Sequence, residues 1–367
     1  MSEIDLTKQP PCSPSLTLNG LVGLPRLIEK ARAAKFGQLG SYRSGSDSLL
    51  DKEILQFIGL PPEKFLSLVE KDQTPAELSK RLSAMVPQKP ASEVIAWSQV
   101  RYSRLLKDDP FRQNLAAQML ANSGLPPAST TTLEWLEFDD RRSFNLERKI
   151  AVVGSGNVGG SLGQRLARLG DKVGFGVRTP GSDKSRSLQE AVGSCATVDA
   201  VPAVVQQADI VVLATPWTET EAALRSAGDL TAKIVIDCTN PIGYTRERGL
   251  FLDRGFDRSG GEEVHRWAAG ASVVKAFNTY GWENFADSFY PNEADVRPVM
   301  FFCGDDDSAK RTVAKLIENL GFEPFDIGKI QAARYLEPLA MLWIENARKD
   351  GRTARFVWGM LAEKSGE

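Results

Sequence analysis

From Leu24 to Leu120 apolar residues return every three or four positions, as in Leu27, Ile28 and Ala31 and again in Ile54, Leu55, Phe57 and Ile58. That period is the mark of an amphipathic helix. Breaks at Gly37 to Gly40, at Pro61-Pro62 and between Pro87 and Pro90 divide the stretch into several short helices. Ahead of it, residues 1 to about 20 carry Pro10, Pro11 and Pro14 among polar positions and predict an extended arm without regular structure. Behind it, Ser123 to Thr132, with Pro126-Pro127 and three successive threonines, reads as a loop, and Trp135-Leu136-Glu137-Phe138 as a short strand closing the first domain.

At Lys149 the pattern changes to short β-branched runs that alternate with helical ones, the sequence sign of a parallel α/β sheet. Strands are expected at Lys149 to Val153, Lys172 to Val177, Ile210 to Ala214, Ile234 to Asp237, Ser272 to Ala276 and Val299 to Cys303, with a further one near Phe322 to Phe325. After Val299 to Cys303, Val313, Leu316, Ile317 and Leu320 share one helical face, Asp305 to Asp307 supply its cap, and Gly321 ends it. The expected fold class is therefore α/β: a Rossmann-type, mostly parallel sheet over residues 146–367, preceded by a small, mainly helical domain of unknown function over residues 1–145. A short helical segment closes the chain.

The chain has 367 residues, enough for two compact units at roughly 150 residues per domain. A formal net charge of -2 offers no broad basic field, which argues against nucleic acid and anionic membranes as partners. The first residues lack the basic and apolar regions of a secretory signal, and no apolar run is long enough to span a bilayer, so a cytoplasmic location is expected. The four cysteines, Cys12, Cys195, Cys238 and Cys303, form no C-x-x-C pair and read as reduced, small hydrophobes. A single histidine, His265, disfavours mechanisms built on a histidine base or on several histidine ligands. No metal is expected, and no residue is singled out as catalytic in its own right.

The strongest chemistry follows the first strand of the second domain. Ile150 to Val153 runs into Gly154-Ser155-Gly156-Asn157-Val158-Gly159 and then into a helix whose Val158, Leu162, Leu166 and Leu169 share a face. In such a loop the first glycine permits the turn and the second lets backbone approach a pyrophosphate. The third lets helix pack on strand, and the helix N-terminus offers free N–H groups to the anion. The second strand ends in Val177-Arg178, where a protein specific for NAD would place an acid on the ribose 2′-hydroxyl. Arg178, followed by Thr179, Ser182, Lys184 and Arg186, suits a 2′-phosphate instead and favours NADP(H). The plain alternative is a solvated basic loop.

Other motifs sit where strands end. Ala214-Thr215-Pro216-Trp217 ends the third strand, where the proline would stop it and present a carbonyl toward the nicotinamide amide; Trp217 reads equally as a core residue. In Asp237-Cys-Thr-Asn-Pro241, Asn240 is a candidate for a ribose or ring and, as readily, a turn initiator. In Lys275-Ala-Phe-Asn-Thr279, Asn278 and Thr279 are candidates to hold a flat ring against the nicotinamide, and Lys275 reads as structural, its stem along the sheet edge. Ser259-Gly-Gly-Glu262 has capping-box spacing, and His265 reads as a surface residue. Arg246, Arg248, Arg254 and Arg258 could cover a second, anionic cofactor, with a solvated loop as the safer reading.

On the glycine loop, Thr215-Pro-Trp217, Lys275 to Thr279, Cys303-Gly-Asp-Asp-Asp307 and Arg334-Tyr-Leu-Glu-Pro-Leu339, the segment from Lys149 onward resembles the deazaflavin (coenzyme F420)-dependent NADP reductase family. Its nucleotide domain is also similar to the reductase domains of six-transmembrane metalloreductases. Asp5-Leu-Thr-Lys8, Leu24-Pro-Arg26, Lys30-Ala-Arg32 and Phe57-Ile-Gly-Leu60 resemble domain-of-unknown-function family 5069, which lends no activity. The resemblance implies NADPH over the glycine loop and Arg178, with its nicotinamide near Thr215-Pro216 and Asn278-Thr279. It implies hydride transfer to a small-molecule redox cofactor: coenzyme F420, or FAD or FMN in the manner of the metalloreductases. A β-hydroxyacid dehydrogenase would need a proton donor and a large helical substrate domain, for which the segment after Gln331 is too short. The alternative of a different class is a non-catalytic NADP(H) sensor signalling through the first domain. A homodimer is the macromolecular partnership expected.

Overall fold

The computed structural model describes residues 4–69, 77–78, 80–82, 89–110, 112–288, 290, 296–349 and 353–361. Of the break expected between Pro87 and Pro90, Pro87 and Gln88 lie outside the described residues. The chain divides into two compact units, one of residues 1–146 with 289–296 and one of residues 147–288 with 297–367.

The first unit is mainly helical, with α1 (Leu24–Lys35), α2 (Leu49–Ile58), α3 (Pro62–Leu68), α4 (Ala91–Ser103), α5 (Gln113–Ser123) and α6 (Thr132–Ser143). Leu24, Leu27, Ile28, Ile54, Leu55 and Phe65 meet in its core, the faces that the helical spacing marks. Two expectations are corrected here. The N-terminal arm is not free of regular structure, because β1 (Thr17–Leu18) pairs antiparallel with β2 (Leu21–Val22). Its turn is Asn19-Gly20, both residues at positive φ, the pair that a two-residue hairpin demands. Nor is Trp135 to Phe138 a strand; it lies inside α6. The threonine run before it ends in an N-cap: Thr131 accepts from the Glu134 N–H, and Glu134 reaches back to the Thr131 N–H, a full capping box. A run of four mostly apolar residues carried less information than the T-x-x-E spacing beside it.

The second unit holds an eight-stranded sheet. In chain order its strands are β3 (Lys149–Val153), β4 (Lys172–Val177), β5 (Ala196–Ala200), β6 (Ile210–Leu213) and β7 (Ile234–Asp237), then, after a β8–β9 hairpin (Ile242–Thr245, Gly249–Leu252), β10 (Ser272–Lys275), β11 (Val299–Gly304) and β12 (Glu323–Asp326). The spatial order is β12-β11-β10-β7-β6-β3-β4-β5. Six strands run parallel; β11 meets β10 antiparallel, and β12 follows β11. This is the expected Rossmann-type α/β class. Helices α7 (Asn157–Arg168), α8 (Asp183–Val192), α9 (Val201–Gln207), α10 (Trp217–Ser226), α11 (Gly260–Trp267), α12 (Asp307–Asn319) and α13 (Ala333–Ala347) complete the unit. Two apolar clusters form its core, one containing Leu162, Phe175 and Leu316, the other Val204, Leu213 and Leu336.

Strand β5 and the β8–β9 hairpin were not expected from the sequence. β5 is an edge strand with alternate residues exposed, so Thr197 and Asp199 break any apolar run. The glycines of β4 have a packing reason. A Cβ at Gly174 or Gly176 would press on Val204 or Val201 of α9 at 3.0–3.1 Å. On the opposite face Phe175 fills the space beside Gly163 of α7, whose Cβ would lie 2.6 Å from the ring. Gly163→Val therefore forces α7 off the sheet and costs roughly 1–3 kcal/mol, as overpacking does. A urea titration that follows the second unit should show a lower midpoint with an unchanged slope.

Candidate functional site

The order of the sheet reverses beside β3: β4 lies on one side and β6 on the other, and each connection leaves in the opposite direction. Open α/β sheets bind ligands in the crevice that such a reversal creates at the carboxyl ends of the strands. Here the backbone closes on itself tightly. Gly154 has φ +101°, and a Cβ on it would sit 2.5 Å from the Ala214 carbonyl oxygen; a Cβ on Gly159 would sit 2.0 Å from the Gly154 carbonyl oxygen. Gly156 differs, since its backbone is extended and a Cβ there would meet no protein atom within 4 Å. Glycine at 154 and 159 answers to the fold, whereas glycine at 156 leaves open the wall that a ligand would approach.

A cleft of about 1190 Å³ opens from this point. It brings together Gly154, Ser155, Gly156, Asn157, Val158, Val177, Arg178, Thr179, Lys184, Ala214, Thr215, Pro216 and Asn240. Gly159 lies behind the loop, and Asn278 and Thr279 are buried rather than on the lining. The N-terminus of α7 points its free N–H groups into the crevice at Asn157. Arg178 and Lys184 make one end cationic. Arg186 is diverted, bonding Asp183 and the Gly181 carbonyl.

At the other end the pattern is one of support. Asn240 donates to the Asn278 carbonyl at 2.9 Å, and the Asn278 amide donates to Asn240 Oδ1 at 3.0 Å and to the Leu336 carbonyl at 3.2 Å. Asn278 thus holds Asn240 from behind. Phe277 beside it is fully buried at φ +61°, a left-handed conformation that bulky residues avoid unless their surroundings impose it. Thr279 Oγ1 is buried without a hydrogen-bond partner among the described residues. The Pro216 carbonyl accepts from Glu219 N–H at 2.9 Å and from Thr220 Oγ1 at 3.0 Å at the start of α10.

Lys275 is structural but not at the sheet edge. β10 is an interior strand, and Lys275 is 0% exposed. Its Nζ lies 2.8 Å from Asp237 Oδ2, 3.1 Å from Glu337 Oε1 and 2.8 Å from the Thr239 carbonyl. Asp237 Oδ1 accepts from both the N–H and the hydroxyl of Thr239, and Glu337 accepts from the N–H groups of Gly260 and Gly261 at the start of α11. Burial alone would lower the Lys275 pKa; the two carboxylates reverse that and hold it above its usual range. Burial also raises the Cys238 thiol, which lines the cleft, and pushes the Cys303 thiol to about 12.

The remaining candidates fall into place. Asp306 caps α12, and Asp305 accepts from Ile330 N–H. No group of acids, histidines or cysteines among the described residues is placed to hold a metal. Ser259 caps α11 through Glu262 N–H, and His265 is exposed on that helix. Of the four arginines considered for a second cofactor, Arg254 is tied to Asp253 and Glu263, and Arg248 stacks on Phe251. Sequence reasoning missed the α10 wall beyond Trp217, where Thr218, Glu219, Ala222, Ala223 and Ser226 line the cleft, and also Cys238, Thr239 and Ile242. The small residues of α10 at successive turns were the available signal.

Residues 149–241 match the family described as NADP oxidoreductase, coenzyme F420-dependent. A solved structure from Arthrobacter sp. fb24, assigned as an F420-dependent NADP reductase, is 31% identical, with TM-score 0.54, over 59% of this chain and 100% of that one. The chain belongs to the coenzyme F420-dependent NADP oxidoreductase family. It is an NADP-dependent oxidoreductase, and its family residues lie in the second unit. Residues 8–142 match a domain of unknown function, DUF5069. Hypothetical protein SMa0349 of Sinorhizobium meliloti is 25% identical over 61% of this chain and 100% of that one, with TM-score 0.45. Metalloreductase STEAP3 of Rattus norvegicus is 29% identical over 53% of this chain. The chain spans only 37% of the length of that curated relative. No helix among the described residues of this oxidoreductase is long and apolar enough to cross a membrane.

The buried charges generate a prediction. Removing one partner strands the others, so Lys275→Met should cost about 3–5 kcal/mol in unfolding free energy. In the unaltered protein the folded-state pKa of Lys275 lies above the ordinary value of about 10.4, so its contribution is complete below that pH. Unfolding titrations should show it lost as pH rises through the folded value.

Proposed function

We propose that the second unit transfers a hydride between NADP(H) and a deazaflavin or flavin-like acceptor, with coenzyme F420 as the first choice and FAD or FMN as the other members of the class. The observation that carries this reading is the chemistry of the cleft at its Asn240 end. Thr215, Pro216, Asn240 and Ile242 offer hydroxyl, amide and apolar surface there, and the ionisable neighbour, the Cys238 thiol, is kept protonated by burial. Such a lining positions rings and does not move protons. Hydride transfer between two heterocycles asks for that, since it depends on ring faces held close and in register.

The residues fit NADP(H) along their whole length. The backbone from Gly154 to Val158, with the open approach at Gly156 and the α7 N-terminus, would take the pyrophosphate. Arg178, Thr179 and Lys184 would take the 2′-phosphate, for which a guanidinium gives paired, charge-assisted bonds. Thr215, Pro216 and Asn240 would border the nicotinamide, with Asn278 and Thr279 as support behind. When bound, the two ring systems supply the hydride donor and acceptor. The assignment of the Arthrobacter neighbour supports a deazaflavin.

The test mixes the purified full-length chain with NADPH and follows its oxidation with oxidised deazaflavin, FAD or FMN. Fast oxidation by deazaflavin is the expected result. Tight NADPH binding with no oxidation by any of the three would overturn hydride transfer to this class and favour a sensor. Nucleotide choice has its own check: Arg178→Asp should weaken NADPH binding about 30-fold or more, as loss of charge-assisted bonds does. NADH binding should change far less, and equal loss of both would remove Arg178 from the 2′-phosphate site.

A further inference from the structure

We propose that Glu219 is a specificity-determining residue that competes with the nucleotide 2′-phosphate for Arg178 and so sets how fast NADP(H) leaves. This rests on the reading of Arg178 given above. Arg178 follows β4 and Glu219 lies in the first turn of α10, which follows β6. The two elements leave the sheet on either side of β3, so the pair spans the crevice at the switch point. Arg178 Nη1 and Glu219 Oε2 are 3.2 Å apart, and both residues line the cleft.

The exposure of the pair decides its role. The Arg178 side chain is 88% exposed and that of Glu219 is 51% exposed. An ion pair so solvated contributes little to stability and exchanges partners readily. A phosphate dianion offers more charge and several acceptor oxygens, so it displaces the carboxylate. Whether Glu219 then swings away or shares the guanidinium, its negative charge stands close to the dianion and opposes it. NAD(H), with a hydroxyl in place of the phosphate, has no dianion to oppose. Glu219 also sits where an acid stabilises a helix N-terminus, but that role is indifferent to the nucleotide. Because NADP(H) acts as a co-substrate here, it must leave in every turnover, and release often limits such enzymes. A carboxylate that recaptures the guanidinium speeds that exit.

Glu221 supplies the control. It lies on the same helix, pairs with Arg225 and is not part of the cleft lining. The experiment measures NADPH and NADH affinity and the NADPH dissociation rate of the full-length chain, as wild type, Glu219→Gln and Glu221→Gln. Loss of the competing pair should tighten NADPH about fivefold in Glu219→Gln, mainly through slower dissociation. NADH affinity and the Glu221→Gln variant should stay within about twofold of wild type, the scale of a distant, screened charge. Unchanged or weaker NADPH binding in Glu219→Gln overturns the proposal, as does an equal gain in Glu221→Gln. A wild-type protein that binds NADPH no better than NADH would overturn the 2′-phosphate reading and this proposal with it; preference for NADPH without the Glu219 effect would overturn this proposal alone.

Discussion

A lysine ammonium with no solvent exposure is held inside the sheet of the second unit, and much of the site depends on how its charge is met. Lys275 on β10 faces Asp237 on β7 and Glu337 on α13, with the Thr239 carbonyl as a further acceptor. Burying one charge without a partner costs several kcal/mol, so these groups form only if all of them arrive. Their arrival joins two strands to the helix at the end of the chain, and Glu337 extends the link to the backbone N–H groups that begin α11. The same network fixes Asp237 to Thr239 and therefore the loop that carries Asn240. The Asn240 end of the cleft, the proposed ring site, is thus set in place by electrostatics one layer below.

The opposite end of the cleft is organised by backbone proximity. Gly154 and Ala214, just past the ends of the neighbouring strands β3 and β6, approach so closely that a single methyl group would part them, and Gly159 lets α7 settle on the same loop. That approach brings the α7 N-terminus to the reversal point of the sheet. Cationic charge comes from Arg178 and Lys184, which stand in solvent. The close backbone contacts of the cleft are buried or half-buried and its cationic side chains are exposed, which suits the binding and release proposed for a co-substrate.

The first unit follows other rules. Its helices close over apolar faces, but two buried ion pairs, Arg26 with Asp140 and Lys30 with Asp51, tie α1 to α6 and to α2. Removing one partner of such a pair would leave the other charge buried and unmet. Residues 8–142, which make up most of the first unit, match a family described only as a domain of unknown function.

The sequence by itself determined the elements whose signals are local. The period of the apolar residues marked the helices of the first unit between Leu24 and Leu120 and the face of α12, and short β-branched or aromatic runs marked seven of the eight sheet strands. Gly154 to Gly159 was legible because strand, turn and helix adjoin in the chain, and Arg178 because it stands where an acid is expected. Asn19-Gly20 and the Thr131–Glu134 box were equally local, and there the turn and cap chemistry outweighed the coarser reading of an arm and a strand. Tertiary structure alone decided what lies across the sheet. It placed Asn278 behind Asn240, sank Lys275 among carboxylates 38 and 62 residues away, and set Glu219 against Arg178. Side-chain type fixes what a residue can bond to, but which partner it meets depends on strand order, and strand order is settled only when the whole sheet has closed its core.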